Sequence, residues 1–459
     1  MKNIFTIIAI LMFTLSNAQG LFNKIYEKPY NNYADAVIER TDGNIFVLGS
    51  SNNPTNTDFV LILSLIDPVG NVIWDKFFET PREGHSLMET SDNNFLAVGT
   101  HSDHYPYLIK FDVDGNMLWE QSYPAQRIIQ GYSIGETRDN NYYFVGASGS
   151  TSYLYLTDTS GNLIWSRSYE VGDLVAVKQT ADNGFILTGT TDYFNGPTDI
   201  VLLKVDADGN EVWSKVYGDE QEDGARSVLQ LPDEGYVIAG SFDDPDAIDD
   251  EPLSYIIRTN SVGDTLWTKK IFFGISQHIK ALNNENGFIH SSWRLGEDIF
   301  LFGISKLDEF GETVWSREFD PGYLYAIGNN ISETADGGFL LTGSTSGWQG
   351  ESDIRLIKLD RDGNFVPLSI NEFGQESANL IVYPNPASNN ISFKLEGNDE
   401  NSIDELIIYT ASGKVVRKFD EIKNLYTSIN VSDFISGIYF FRLITYSNSV
   451  MAGKFIVEN

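Results

Sequence analysis

Two short patterns alternate down this chain, and their repetition constrains the fold more than any other feature. The first is a turn leading into apolar residues and a glycine: Asp42-Gly43-Asn44-Ile45-Phe46-Val47-Leu48-Gly49, then Asp92 to Gly99, Asp139 to Gly146, Asp182 to Gly189 and Asp233 to Gly240. It returns at Glu285 to Ser292, where the glycine is lost, and at Asp336 to Gly343. The second is Gly-Asn-x-x-Trp or a near variant: Gly70 to Trp74, Gly115 to Trp119, Gly161 to Trp165, Gly209 to Trp213, Gly263 to Trp267 and Gly311 to Trp315. A seventh copy, Gly363 to Pro367, has lost its tryptophan. The period of about 45 to 54 residues falls in the range of propellers and similar arrays.

Within a unit the pattern predicts four strands, as in Ala225 to Gln230, Gly235 to Ser241, Leu253 to Thr259 and Thr265 to Ile271. β-Branched and aromatic residues fill these runs, and Asp, Asn and Gly fill the gaps, where tight hairpins demand residues that tolerate positive φ. Four antiparallel strands repeated seven times predict an all-β chain built on a seven-bladed β-propeller. Such a ring must close or leave exposed edges. Phe22-Asn23-Lys24-Ile25-Tyr26 matches Trp213-Ser214-Lys215-Val216-Tyr217, while the seventh unit's own outer strand is spoiled by Pro367, which lacks the N–H a ladder needs. The expectation is that residues 22–30 complete blade seven.

The ends of the chain differ from the repeats. Met1-Lys2-Asn3, an apolar run from Ile4 to Leu15 and Ser16-Asn17-Ala18 make a signal peptide cleaved after Ala18, since the run is shorter than the roughly 20 residues a bilayer needs. The expected divisions are a signal peptide at 1–18, a propeller at 19–368, a polar linker at 369–379 and a separate module at 380–459. With no cysteine, stability must come from buried apolar area. A formal charge of −33 disfavours nucleic acid and anionic membrane, whose recognition runs on clustered Lys and Arg.

The Asp-x-x-Gly-x-x-x-Trp turn, as in Asp206, Gly209 and Trp213, resembles the tryptophan-docking motif of quinoprotein-like propellers, in which each tryptophan packs on the neighbouring blade. The turn here is one residue shorter, and the eight blades and quinone and calcium site of those enzymes have no counterpart, so the resemblance implies architecture and no chemistry. The C-terminal module opens Leu380-Ile381-Val382-Tyr383-Pro384-Asn385-Pro386 and continues through Gly413-Lys414, Val431-Ser432-Asp433-Phe434, Ser436-Gly437-Ile438-Tyr439 and Lys454-Phe455-Ile456-Val457. It resembles the type A C-terminal sorting domain of the type IX secretion system of Bacteroidetes, with Phe434 where the family usually carries leucine. That resemblance implies recognition by the outer-membrane translocon, with Tyr383, Pro384, Asn385, Pro386, Gly413, Gly437, Tyr439 and Lys454 as its motif residues. It also implies passage through the periplasm to the cell surface or medium. Short alternating strands such as Ile391 to Leu395, Glu405 to Thr410 and Gly437 to Thr445 predict a small β-sandwich there.

A residue type that recurs at the same position in every blade is explained by the fold, so function is to be sought in what does not repeat. The Asp-x-Asp-Gly-Asn segments at Asp112, Asp206 and Asp360 look like the start of a calcium loop but lack its distal glutamate and sit in a recurring hairpin; calcium is the one metal they leave open. The recurring Glu-Thr-x-Asp at Glu89, Glu136 and Glu333 reads as a strand end and turn cap. The histidines His85, His101, His104, His278 and His290 fall in different blades; His101, Asp103 and His104 share a loop with no evident third ligand. No Gly-x-Ser-x-Gly elbow, His-Glu-x-x-His or phosphate-binding glycine loop occurs.

What varies is the set of loops joining second to third strands and one unit to the next, which share one face of a propeller. Tyr132, Tyr193, Phe194, Trp293, Tyr323, Tyr325 and Trp348 are expected there, suited to stacking on sugar or peptide. The Phe242 to Pro252 insert, rich in Asp, is expected to be a solvated acidic loop. The sequence therefore points to a secreted or surface-displayed, non-catalytic propeller that binds glycan or protein. The alternatives are a propeller-type polysaccharide hydrolase or lyase and a structural or adhesion component of the surface.

Overall fold

The computed structural model describes residues 21–458 apart from 28–30, 53–58, 124–128, 149, 192–196, 219–220, 243–252, 272–273, 284, 296–299, 320–324, 347–351, 365–378, 397–402, 411–414, 420–421, 423 and 446–449. The leader at 1–18 and most of the linker at 369–379 thus lie outside the described residues. Every regular element described is a β-strand, and the chain divides into two compact units, 1–365 and 366–459.

In the larger unit each repeat folds into a four-stranded antiparallel blade, with strands adjacent in sequence adjacent in the sheet. Blade 1 holds β2 (Asn32–Glu39), β3 (Ile45–Asn52), β4 (Phe59–Ile66) and the first half of β5 (Val72–Glu89). Strand β5 runs on as the first strand of blade 2, followed by β6 (Phe95–His101), β7 (Pro106–Phe111) and β8 (Met117–Ser122). Blade 3 comprises β9 (Gln130–Glu136), β10 (Tyr142–Ser148), β11 (Thr151–Thr157) and β12 (Leu163–Tyr169). Blade 4 comprises β13 (Asp173–Gln179), β14 (Phe185–Thr190), β15 (Ile200–Val205) and β16 (Glu211–Tyr217). Blade 5 comprises β17 (Asp223–Gln230), β18 (Tyr236–Phe242), β19 (Leu253–Thr259) and β20 (Thr265–Ile271). Blade 6 comprises β21 (Ile275–Ala281), β22 (Phe288–Leu295), β23 (Phe300–Leu307) and β24 (Thr313–Phe319). Blade 7 holds β25 (Tyr325–Glu333), β26 (Phe339–Ser346) and β27 (Ser352–Leu359), and its outer strand is β1 (Phe22–Tyr26) from the other end of the chain, with Phe22 opposite Lys358 and Tyr26 opposite Ile354.

The first strands touch in cyclic order, β2 to β5, β9, β13, β17, β21, β25 and back to β2, so the blades form a closed seven-membered ring around a channel. Both faces of a blade are covered by its neighbours, which is why the second and third strands are apolar almost throughout and nearly all buried. An apolar core fills each of the seven junctions. The seam between blades 7 and 1 is one of them, built from Phe22, Ala34, Val37, Ile62, Leu340, Ile354 and Leu356 among others.

The second repeated pattern is the outer clamp between blades. Trp74, Trp119, Trp165, Trp213, Trp267 and Trp315 each lie against the turn glycine of the next blade, Gly115, Gly161, Gly209, Gly263, Gly311 and Gly363, so closely that a Cβ there would meet the ring at about 3 Å or less. These glycines also have φ between +70° and +83°, doubly requiring the absence of a side chain. At the seam the missing tryptophan is replaced by Phe22, which stands against Gly70. Four residues along the strand, Tyr26, Tyr123, Tyr169 and Tyr217 donate their hydroxyls to the carbonyls of Gly70, Gly161, Gly209 and Gly263.

The Asp-x-Asp-Gly-Asn turns that suggested calcium are closed upon themselves. Asp112 Oδ1 accepts the amides of Asp114 and Asn116, while its Oδ2 accepts the Asn116 amide nitrogen. The same bonds recur at Asp67, Asp158, Asp206 and Asp360. Among the described residues no group of three or more His, Cys, Asp or Glu side chains is placed to hold a metal ion.

The smaller unit is a sandwich of two antiparallel sheets. One contains β28 (Asn379–Tyr383), β29 (Asn390–Glu396) and β32 (Tyr426–Asn430); the other runs β31 (Val415–Phe419), β30 (Ile403–Thr410), β33 (Gly437–Thr445) and β34 (Val450–Val457). Between them lies a core that includes Ile391, Phe393, Ile408, Phe434, Tyr439, Phe441 and Phe455.

Candidate functional site

Every first strand carries a β-bulge at the same place, and this sets what faces the channel. The pairing slips between Ala34 and Ala36, Gly84 and Ser86, Leu174 and Ala176, Ala225 and Ser227, Ser276 and His278, and Gly328 and Asn330; in blade 3 it slips around Tyr132. One extra residue is therefore turned out of each ladder: Asp35, His85, Tyr132, Val175, Arg226, Gln277 and Asn329. Ala34 and Ala36 are buried on either side of Asp35, as are Leu174 and Ala176 around Val175, whereas Asp35, His85, Tyr132, Val175, Arg226 and Gln277 keep solvent contact. The bulge also explains the glycine of the first repeated pattern. It pushes a carbonyl towards the second strand, so that a Cβ on Gly49, Gly99 or Gly189 would come within 1.8 or 1.9 Å of the oxygen of Tyr33, Glu83 or Asp173. Blade 6 keeps the bulge with Ser292 in the glycine's place.

The bulges lie in the first half of each inner strand, near the end where the second-to-third-strand loops and the blade-to-blade connections emerge. The fold repeats there and the residues do not. Arg226 is open to solvent and yet surrounded by protein, the condition of a side chain in a water-filled channel, and burial lowers its pKa. It acts electrostatically on Tyr132, two blades away, showing that the ring converges. Burial, reinforced by Asp173, pushes the Tyr132 phenol up to about 12; the hydroxyl donates to Gln130 Oε1 at 2.6 Å. His85 lies with its ring 6.1 Å from that of Tyr132 and its Nε2 3.1 Å from Thr100 Oγ1. Burial lowers its pKa to about 4, so the ring is neutral at pH 7 and its approach to Glu83 at 3.7 Å is no ion pair. Asp35 is pushed up to about 7 by burial and then by the neighbouring charge of Glu83, whose own pKa burial raises.

Deeper in the channel the inner strands end in an inter-blade lock. Glu136, Gln179, Gln230, Glu333 and Glu39 accept the backbone amides of Ser91, Arg138, Ala181, Asn283 and Ala335, each on the turn of the preceding blade. This accounts for the recurring Glu-Thr-x-Asp: the glutamate links blades at Glu136 and Glu333, and the aspartate of the turn anchors a cation of the third strand, as in Asp92 with Lys110 at 2.6 Å and Asp182 with Lys204 at 2.9 Å.

The residues expected on the loop face divide three ways. Tyr193, Phe194, Tyr323 and Trp348 lie outside the described residues, as does the acidic insert beyond Phe242, which itself ends β18. Tyr325 opens β25. Tyr132 and Trp293, expected on loops, are in strands: Tyr132 is the bulged residue of β9, and Trp293 is half-buried on β22 opposite Ile275. The histidines, expected in different blades, fall in only two, His85, His101 and His104 in blade 2 and His278 and His290 in blade 6; His85 faces the channel and His290 is fully buried, with Nε2 2.7 Å from Ser276 Oγ. His101 and Asp103 engage each other within one turn, where the Asp103 amide donates to His101 Nδ1.

In the sandwich, Tyr383 and Pro384 are exposed at the end of β28, Pro386 follows, and Asn385 Oδ1 accepts the Ile456 amide, tying the motif to the last strand. Gly437 starts β33 opposite Val457; Tyr439 packs on Phe434 and Phe455 and donates to the Ile435 carbonyl; Lys454 is exposed on β34. Gly413 lies outside the described residues.

Residues 381–458 match the secretion system C-terminal sorting domain family. The tail is a type IX sorting domain, which implies interaction with that secretion system and export to the cell surface or extracellular space. No helix among the described residues is long and apolar enough to cross a membrane. No curated protein matches the sequence. Among solved structures, a protein of unknown function from Bacteroides caccae is 12% identical with a TM-score of 0.41, the match covering 63% of this chain and 94% of that one. The propeller of Dos1 is also 12% identical, with a TM-score of 0.44 and coverage of 74% and 96%.

Proposed function

We propose that this exported propeller is a non-catalytic binding module that takes a glycan or protein ligand at the loop-face mouth of its channel. The observation that carries the reading is the ring of in-register bulges. They turn Asp35, His85, Tyr132, Val175, Arg226, Gln277 and Asn329 out of a repeating scaffold, at positions where the fold imposes no residue type. Rings beside an acid, a guanidinium and an amide suit a saccharide: the flat apolar faces stack and the polar groups fix orientation. Placement on rigid inner strands lowers the ordering cost of binding.

A second reading is favoured by one feature. Asp35, held protonated to about pH 7 by burial and Glu83, is poised as a general acid, as a hydrolase or lyase would require. A screen of the exported chain against bacterial, algal and plant polysaccharides separates the two. Saturable binding without product, weakened by Tyr132→Ala and Arg226→Ala, supports the binding module. Released oligosaccharide that disappears in Asp35→Asn supports the enzyme, and no response to any glycan directs the search to a protein ligand.

A further inference from the structure

Two sets of cations on the inner and third strands of the propeller contrast. Those that recur on the third strands have partners set by the fold: Lys110 with Asp92, Lys204 with Asp182, Arg258 with Asp233, Lys306 with Glu285 and Lys358 with Glu39. Lys178 and Lys280 do not recur. They occupy one register position, three residues beyond the bulge on β13 and β21, where the other blades carry Ile38, Met88, Gly135, Leu229 and Ser332. Three residues of strand place this tier roughly 10 Å deeper in the channel than the bulge ring.

Lys178 is open to solvent and Lys280 is partly so, although protein surrounds both. They come from blades 4 and 6 and lie near enough that Lys178, after burial, lowers the Lys280 pKa, to about 8. Glu333 is the one described carboxylate whose field reaches Lys280, and its Oε2 is occupied by the Asn283 amide. His278, two residues before Lys280 on β21, is kept uncharged by burial and then by the two lysines. Two like charges thus face one channel in a chain whose net charge is −33, with little compensation from the protein.

We propose that this tier is a binding site for a compact dianion of the sulfate or phosphate type, either as the free ion or as an ester group carried on a saccharide. Two ammonium groups are compact point charges with rotatable donors and match a roughly spherical oxyanion, whereas a planar carboxylate would be gripped better by guanidinium forks. The site is separate from the mouth ring and stands whether or not the mouth binds a glycan.

The test is calorimetric titration of the purified exported chain with inorganic sulfate, inorganic phosphate and a sulfated monosaccharide, at pH 7 and constant ionic strength. Saturable one-to-one binding of at least one probe is expected, weakened at least 10-fold by Lys178→Met and by Lys280→Met but unchanged by Lys394→Met on the sorting domain. Binding of the inorganic ions identifies a free-ion site, and binding of the ester alone identifies a saccharide substituent. Should the Met variants fold poorly, Lys178→Gln and Lys280→Gln carry the same comparison. No saturable binding of any probe, or binding that survives loss of both lysines, overturns the proposal.

Discussion

Lys358 donates to Glu39 Oε1 at 3.0 Å across the seam between the last and first blades, and the two side chains are 0% and 4% exposed. Glu39 Oε2 meanwhile takes the Ala335 amide, so one carboxylate ties β2 to two elements of blade 7. Removing one member leaves the other buried without its main countercharge. Glu39→Ala and Lys358→Met are each expected to destabilise the propeller by about 3–5 kcal/mol, and Glu39→Met combined with Lys358→Met to recover most of that loss. Urea unfolding of the two single variants and the double variant measures it.

The apolar half of the same seam rests on Phe22, which takes the place that tryptophan holds at the other junctions. Phe22→Ala should cost about 3–5 kcal/mol, whereas Phe22→Trp should cost less than about 1.5 kcal/mol, because the neighbouring clamps are built for the larger ring. Tyr26→Phe removes only the hydrogen bond to the Gly70 carbonyl and should cost about 1 kcal/mol. Thermal unfolding of the three variants ranks them.

At the junction of blades 5 and 6 the residue types themselves exclude the inter-blade lock, and both halves of the exclusion are visible. In blade 5 the turn residue that would offer its amide is Pro232, which has none, and the facing position at the end of β21 is Ala281, which has no acceptor. Installing the lock needs both changes. Ala281→Glu with Pro232→Ala should gain about 0.5–1.5 kcal/mol over the sum of the single variants, a coupling that a double-mutant cycle of unfolding free energies resolves.

Acid should destabilise the propeller through His290. Burial lowers its pKa from 6.5 to about 4, so between those values the unfolded chain binds a proton that the folded chain does not. Stability from this group is complete above about pH 6.5 and declines as pH falls to 4, by roughly 3 kcal/mol in all. Asp35 works with the opposite sign: its folded pKa is raised to about 7, so its contribution is lost as pH rises from 3.8 towards 7. The informative quantity is therefore the difference between the wild type and His290→Gln, whose stability should converge as pH falls from 6.5 to 4.

The blade repeat was legible because sterics force its residues. A left-handed turn under a tryptophan admits only glycine at Gly115 or Gly209, and the carbonyl thrown forward by a bulge admits only glycine at Gly49 or Gly189. The outer strand Phe22–Tyr26 was legible by its match to Trp213–Tyr217, since both meet the same kind of neighbour. The channel ring was not. At the bulged position the fold asks for no residue type, so Asp35, His85, Val175 and Arg226 carry no periodic signal, and Tyr132 looked like a loop residue. The available clue was the glycine of the second strand, which marks where each bulge must lie. Lys178 and Lys280 were hidden for a related reason: their proximity comes from the closure of the ring.

The most direct test of the account is ligand titration with the exported chain, comparing the wild type with Tyr132→Ala, Arg226→Ala and a control on the outer rim, Val314→Ala. The ligand is the glycan or protein selected by screening. Binding at the channel mouth predicts that the two ring substitutions weaken affinity at least 10-fold, with unfolding midpoints near the wild-type value and the control unaffected. Unchanged affinity in both ring variants would contradict it and place the binding surface elsewhere on the propeller.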